Sequence, residues 1–86
     1  MPEISRFYRI RITIYFDDHP PSHFHAQYAE HEALFSIKDG EMTNGNLPNT
    51  AKKLVKKWYK LQKENILNAW EHIQNDEVFE KVPPLD

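Results

Sequence analysis

Residues 6–16, Arg6-Phe7-Tyr8-Arg9-Ile10-Arg11-Ile12-Thr13-Ile14-Tyr15-Phe16, are the stretch on which the fold turns. Tyr8, Ile10, Ile12, Ile14 and Phe16 share one parity, and Phe7, Arg9, Arg11, Thr13 and Tyr15 share the other. Such alternation, in a run rich in β-branched and aromatic residues, marks a strand buried on its even face. Asp17-Asp18-His19-Pro20-Pro21-Ser22 stops it, because proline cannot donate to a ladder and paired aspartates favour a turn. Residues 23–29 alternate again, Phe24, Ala26 and Tyr28 against His23, His25 and Gln27. After a short turn at Glu30-His31, residues 32–38 read as a third strand. Asp39-Gly40 is a hairpin signal, leading to a short fourth strand near 41–43.

Asn44-Gly45-Asn46 breaks the pattern, and the period then changes. Pro48 suits a helix start, with Asn49 or Thr50 as the cap. Ala51, Leu54, Val55, Trp58, Tyr59, Ile66, Ala69, Trp70 and Ile73 recur at three- and four-residue steps, so residues 49–75 are helical. Gln62 and Asn65 thin the stripe, which allows one long helix or two with a bend near 62–65. Asn75-Asp76 ends it, and the tail can add an edge strand before Pro83-Pro84. The expected fold is α+β: a three- or four-stranded, mostly antiparallel sheet packed on a long C-terminal helix or two consecutive helices. It forms one domain, with a β-rich part over 1–43, a helical part over 48–75 and a tail over 76–86. The even face of the first strand and the tryptophan stripe make the core, leaving the other sheet face polar and open.

At 86 residues and 10.3 kDa the chain holds one thin core, burying roughly 60–65% of its unfolded surface. It has no cysteine, which excludes disulfides, thiolate metal sites and a cysteine nucleophile. Only Gly40 and Gly45 are present, so no glycine-rich phosphate loop exists. No apolar run approaches the roughly 20 residues of a membrane span, and the charged start Met1–Ile10 lacks a secretory apolar stretch. A cytoplasmic location without membrane contact is expected. Five histidines are the compositional excess.

The net charge of −2 is a cancellation. Residues 1–16, 17–48, 49–63 and 64–86 sum to +2, −5, +6 and −5. The basic block is Lys52, Lys53, Lys56, Lys57, Lys60 and Lys63 with no acid among them. A lysine-rich helix face is commonly just solvated. An uncompensated one can also steer an acidic partner or a phosphate, and Lys53, Lys56, Lys57 and Lys60 are the candidates. The acidic flanks oppose strong non-specific nucleic-acid binding.

Three readings attach to the histidines. His23 and His25 stand at i and i+2, on one strand face and roughly 7 Å apart. With His19, Asp17 and Asp18 they can ligate a divalent metal, zinc or similar, that activates water. Without metal, His23 and His25 share the open face with Arg9, Arg11, Thr13 and Tyr15. Imidazole as acid or base and arginine on a charged phosphate are the groups of a metal-independent nuclease. The plain reading is a polar sheet face whose histidines bond the turn aspartates and backbone.

The stretch Met1–Phe7, the run Tyr15-Phe16-Asp17-Asp18-His19-Pro20-Pro21-Ser22-His23-Phe24-His25-Ala26-Gln27-Tyr28, and Leu47-Pro48, Leu54-Val55, Trp58, Asn68-Ala69-Trp70 and Pro84-Leu85 resemble a small bacterial family. It is the domain of unknown function numbered four-one-six-zero. The resemblance implies a free-standing cytoplasmic protein whose gene adjoins that of another small domain linked to toxin–antitoxin-like pairs. It carries no reaction with it, and directs attention to Asp17, Asp18, His19, His23 and His25. The family pattern has glycine where this chain has Arg9, which makes Arg6 the better catalytic arginine beside His23 and His25. The expectation is thus a small component of a two-gene module that binds a protein partner, the neighbouring gene's product, or RNA or DNA. A histidine- or metal-dependent nuclease and a purely structural interaction domain are the alternatives. An open sheet face permits a homodimer.

Overall fold

A computed structural model describes residues 3–15 and 21–85. Five strands precede one helix: β1 (Glu3–Phe7), β2 (Ile10–Thr13), β3 (His23–Tyr28), β4 (His31–Ser36), β5 (Met42–Gly45) and α1 (Asn49–Gln74). The strands lie in sequence order, each antiparallel to the next, as a meander. The fold is α+β as expected, with five strands where three or four were expected.

The additional strand comes out of the opening stretch. Residues 6–16 are not one strand. Phe7 pairs with Ile10, so the chain reverses through a two-residue turn at Tyr8-Arg9. Both turn residues have positive φ, 49° and 67°, as a type I′ turn requires. Cross-strand partners share a face, so Phe7 joins Ile10 in the core and meets the Trp58 ring at 5.3 Å between centroids. Tyr8, assigned to the buried face by parity, is 54% exposed on the turn. The next turn lies at Ala29-Glu30, one residue before the expected place, with Ala29 at φ 52°.

The helix covers one sheet face. Phe24 stacks on Phe35 at 5.3 Å and meets Trp58 edge-on at 5.6 Å. Ile10, Ile12, Ala26 and Ala33 complete the sheet side, and Val55, Trp58, Tyr59, Ile66 and Trp70 the helix side. Trp58 donates Nε1–H to the Pro83 carbonyl at 2.8 Å, and Tyr59 donates its hydroxyl to Ile37 at 2.6 Å. The cap is Pro48, without a side-chain bond, and Asn49 and Thr50 lie inside the helix. Gln62 (φ −119°, ψ 18°) breaks helical geometry, so α1 is one helix bent at that residue. The tail forms no strand among the described residues. It contributes one backbone bond, Val82 N–H to the Ile4 carbonyl at 2.8 Å, and buries Val82 and Leu85. No helix among the described residues is long and apolar enough to cross a membrane.

Candidate functional site

The face of the sheet away from α1 gathers the polar residues into rows, and the strand registers fix them. One row runs Arg6, Arg11, Gln27, Glu32. The next runs Glu3, Thr13, His25, Leu34, Asn44. Beyond it, His23 pairs with Ser36 at the sheet margin. Arginines directly opposite each other repel. Glu3 offsets this: its carboxylate lies 2.8 Å from Arg6, 3.2 Å from Arg11 Nε and 3.8 Å from Lys81. Arg6 Nε donates to it at 3.0 Å. Arg11 Nε is buried and makes no hydrogen bond among the described residues, so its contact with Glu3 is electrostatic and off-line. Arg9, on the turn, makes no ion pair among the described residues. Arg6, Arg9 and Arg11 thus line one groove, together with Gln27 and Ala29.

The imidazoles lie beside this row. Tyr15 meets the His25 ring edge-on at 4.5 Å, and His23 meets it at 5.3 Å. His23 also contacts Trp70, at 5.5 Å, where the end of α1 reaches the sheet margin. The Pro21 carbonyl can only accept, so His23 Nδ1 carries a hydrogen and donates to it at 2.9 Å. In the neutral ring the lone pair then sits on Nε2. His25 Nδ1 lies 3.8 Å from Glu32, beyond hydrogen-bond range but close enough for an ion pair once the ring is protonated. Tyr15, His25, Glu32, Leu34, Asn44 and Gly45 line an open depression of about 430 Å³.

The expected residues therefore divide. His23 and His25 are neighbours on the open face, as their spacing implies. Arg6 shares that face but stands in the arginine row, held by Glu3. Asp17, Asp18 and His19 lie outside the described residues. Among the described residues no group of three or more His, Asp or Glu side chains could hold a metal ion. The lysines lie elsewhere. Lys53, Lys57 and Lys60 are exposed on the outer side of α1, while Lys56 is half-buried and pairs with Glu41 at 3.1 Å. Since α1 covers the opposite face of the sheet, this ridge points away from the histidines. One small ligand cannot touch both.

Glu3, Glu32, Leu34 and Asn44 escaped the sequence reading, which placed Gln27 on the face of His23 and His25 without giving it a role. Alternation along β4 puts Glu32 and Leu34 on one face. Only strand pairing reveals which strand's face that joins.

The model of a family described as a domain of unknown function (DUF4160) matches residues 10–71, well over half of the chain. No curated protein and no solved structure matches. This chain belongs to that domain-of-unknown-function family.

Proposed function

We propose that this member of the family is a binding module, the partner of a second small protein in a two-gene, toxin–antitoxin-like pair, and that it works through the open face of its sheet. The observation that supports this is the composition of that face. An antiparallel sheet with one solvated face needs only generic polar residues there. This one instead carries opposed arginines held by a single glutamate, and a Tyr15–His25–His23 ring cluster beside a depression. The molecule acts in the cytoplasm, and its candidate partners are the neighbouring gene's protein or a nucleic acid.

The test is co-expression with the protein encoded by the adjoining gene, followed by capture on a tagged copy of this chain. Wild type retains the partner, and His23→Ala/His25→Ala loses most of it at an unchanged melting temperature. Equal capture by both would sink the open face as the docking surface.

A nuclease is the second reading, and the His25–Glu32 contact favours it. A carboxylate beside an imidazole orients the ring as a base, and Arg11 stands in the adjoining row for a phosphate. A divalent metal, zinc or similar, on His19, His23, His25, Asp17 and Asp18 is the variant of that reading. Incubating the pure protein with labelled RNA, with and without zinc, decides it. Cleavage abolished by His25→Ala supports chemistry, and intact RNA under both conditions rejects it.

A further inference from the structure

We infer that the open face takes single-stranded nucleic acid, with phosphodiesters on the groove of Arg6, Arg9 and Arg11 and a base in the depression beside Tyr15 and His25. This rests on the open-face reading above and names the ligand class.

The arginine groove is the first support. Guanidinium matches phosphate oxygens in a planar, two-pronged way. Opposing Arg6 to Arg11 across two strands costs the free protein repulsion that Glu3 only partly offsets, since the same carboxylate also faces Lys81. Arg9 adds a third guanidinium at the turn, and the groove is open to solvent. A phosphodiester backbone supplies the anions this arrangement lacks. The total charge of −2 does not oppose this. The Debye length is about 10 Å at 0.1 M salt, so distant acids are screened from the groove, and Glu32, in the same row, accepts a hydrogen bond from Gln27 at 3.3 Å.

The depression is the second support. It is lined by the Tyr15 and His25 rings, which meet edge-on, by Ala33 and Leu34, and by the polar side chains of Glu32 and Asn44. Flat apolar walls with a few polar groups are what a base requires. The His25 side chain is 15% exposed, and the Tyr15 ring meets its edge at 4.5 Å, so a stacked base would rest on both rings. Two residues of antiparallel strand, about 7 Å, separate the arginine row from the row of His25. One nucleotide spans that. The depression is open, so a strand can continue past it.

The experiment is fluorescence anisotropy with labelled single-stranded RNA and DNA 12-mers of mixed sequence, a duplex of the same sequence, and poly-glutamate as competitor. Wild type binds both single strands more tightly than duplex. Three phosphate contacts give a log–log salt slope of about −2. Arg6→Ala and Arg11→Ala each weaken binding about tenfold and flatten the slope, and Arg6→Lys restores part of the loss. Tyr15→Ala weakens binding about tenfold with the slope unchanged. Glu3→Gln tightens binding several-fold, because it frees the arginines; a scaffold role for Glu3 would not do this. Three outcomes overturn the inference: no binding by wild type at 50 mM salt, equal competition by poly-glutamate, or loss of binding only on Lys53→Glu/Lys57→Glu/Lys60→Glu. The co-expression capture separates this failure from failure of the open-face reading. A protein partner lost on His23→Ala/His25→Ala, with no nucleic acid bound, keeps the face and rejects the ligand.

Discussion

Thr13 buries a hydroxyl that has no partner among the described residues. It stands directly opposite His25, on the sheet face that is otherwise polar. A buried, unsatisfied polar group costs about 1–3 kcal/mol, and valine has nearly the same shape. Thr13→Val is therefore expected to stabilise the fold by about 1 kcal/mol, read from the urea midpoint at constant slope. A loss of stability would mean that the hydroxyl is bonded. Arg9 raises the converse question. At φ 67° an L-residue is strained by about 1–2 kcal/mol relative to the right-handed region. Glycine removes that strain but returns about 0.4–1 kcal/mol through a freer unfolded chain. Arg9→Gly should thus leave stability level or slightly raised while weakening the binding of a single-stranded 12-mer. That is how a turn residue kept for its charge behaves. A drop of more than about 1 kcal/mol would show that Arg9 holds the hairpin.

The hairpin of β1 and β2 is also where the sequence misled. Alternation predicts a strand but not where it folds back. A two-residue turn needs positive φ, and glycine or asparagine is the usual signal. Tyr8-Arg9 carries neither, so the run 6–16 looks continuous and Phe7 falls on the wrong face. At Asp39-Gly40 and along the helix the signals were read correctly, whereas Asn44-Gly45, read as a break, lies inside β5, and Asn49 and Thr50, read as caps, lie inside α1. Asp39-Gly40 turns the chain, with Gly40 N–H bonded to the Ser36 carbonyl at 2.8 Å, and every residue of the helix stripe is buried or packed against the core. The site was half legible for a related reason. His23 and His25 share a face by parity alone, whereas the approach of Glu3 to Arg6 and Arg11, and of Glu32 to His25, depends on strand pairing. The tail could not be read either, because it works without secondary structure. It covers the outer edge of β1 with one backbone bond and the buried side chains of Val82 and Leu85, and its Pro83 carbonyl receives the Trp58 N–H. Burying a valine or leucine is worth about 1.5–3 kcal/mol. Truncation after Asp76 should therefore cost about 3–5 kcal/mol, measured by denaturant unfolding. A truncated chain as stable as the full one would show that the tail only rests on the surface.

Across the whole molecule, two charged surfaces face opposite ways. The arginine groove lies on the open side of the sheet, and the lysine ridge on the outer side of the helix. The ridge is poorly arranged for stability. No acid stands in the first turn of α1, where the helix dipole favours one. Lys53 and Lys57 stand at i and i+4, where like charges repel. Neither pairs with an acid among the described residues, whereas Lys56 reaches Glu41. Lys53→Glu should accordingly raise stability by about 0.5 kcal/mol, by replacing a like-charge pair with an ion pair to Lys57. If the ridge docks an acidic region of the neighbouring gene's protein, the same variant should weaken capture of that protein, and Lys53→Glu/Lys57→Glu/Lys60→Glu should abolish it. Stability and binding then move in opposite directions, which a merely solvated helix face cannot produce. Because the two surfaces share no residue, the triple reversal should leave the affinity for a single-stranded 12-mer within about twofold, and its effect should add to that of Arg6→Ala. Unchanged capture by the triple variant would leave the ridge with no role in recognition and place all of it on the sheet.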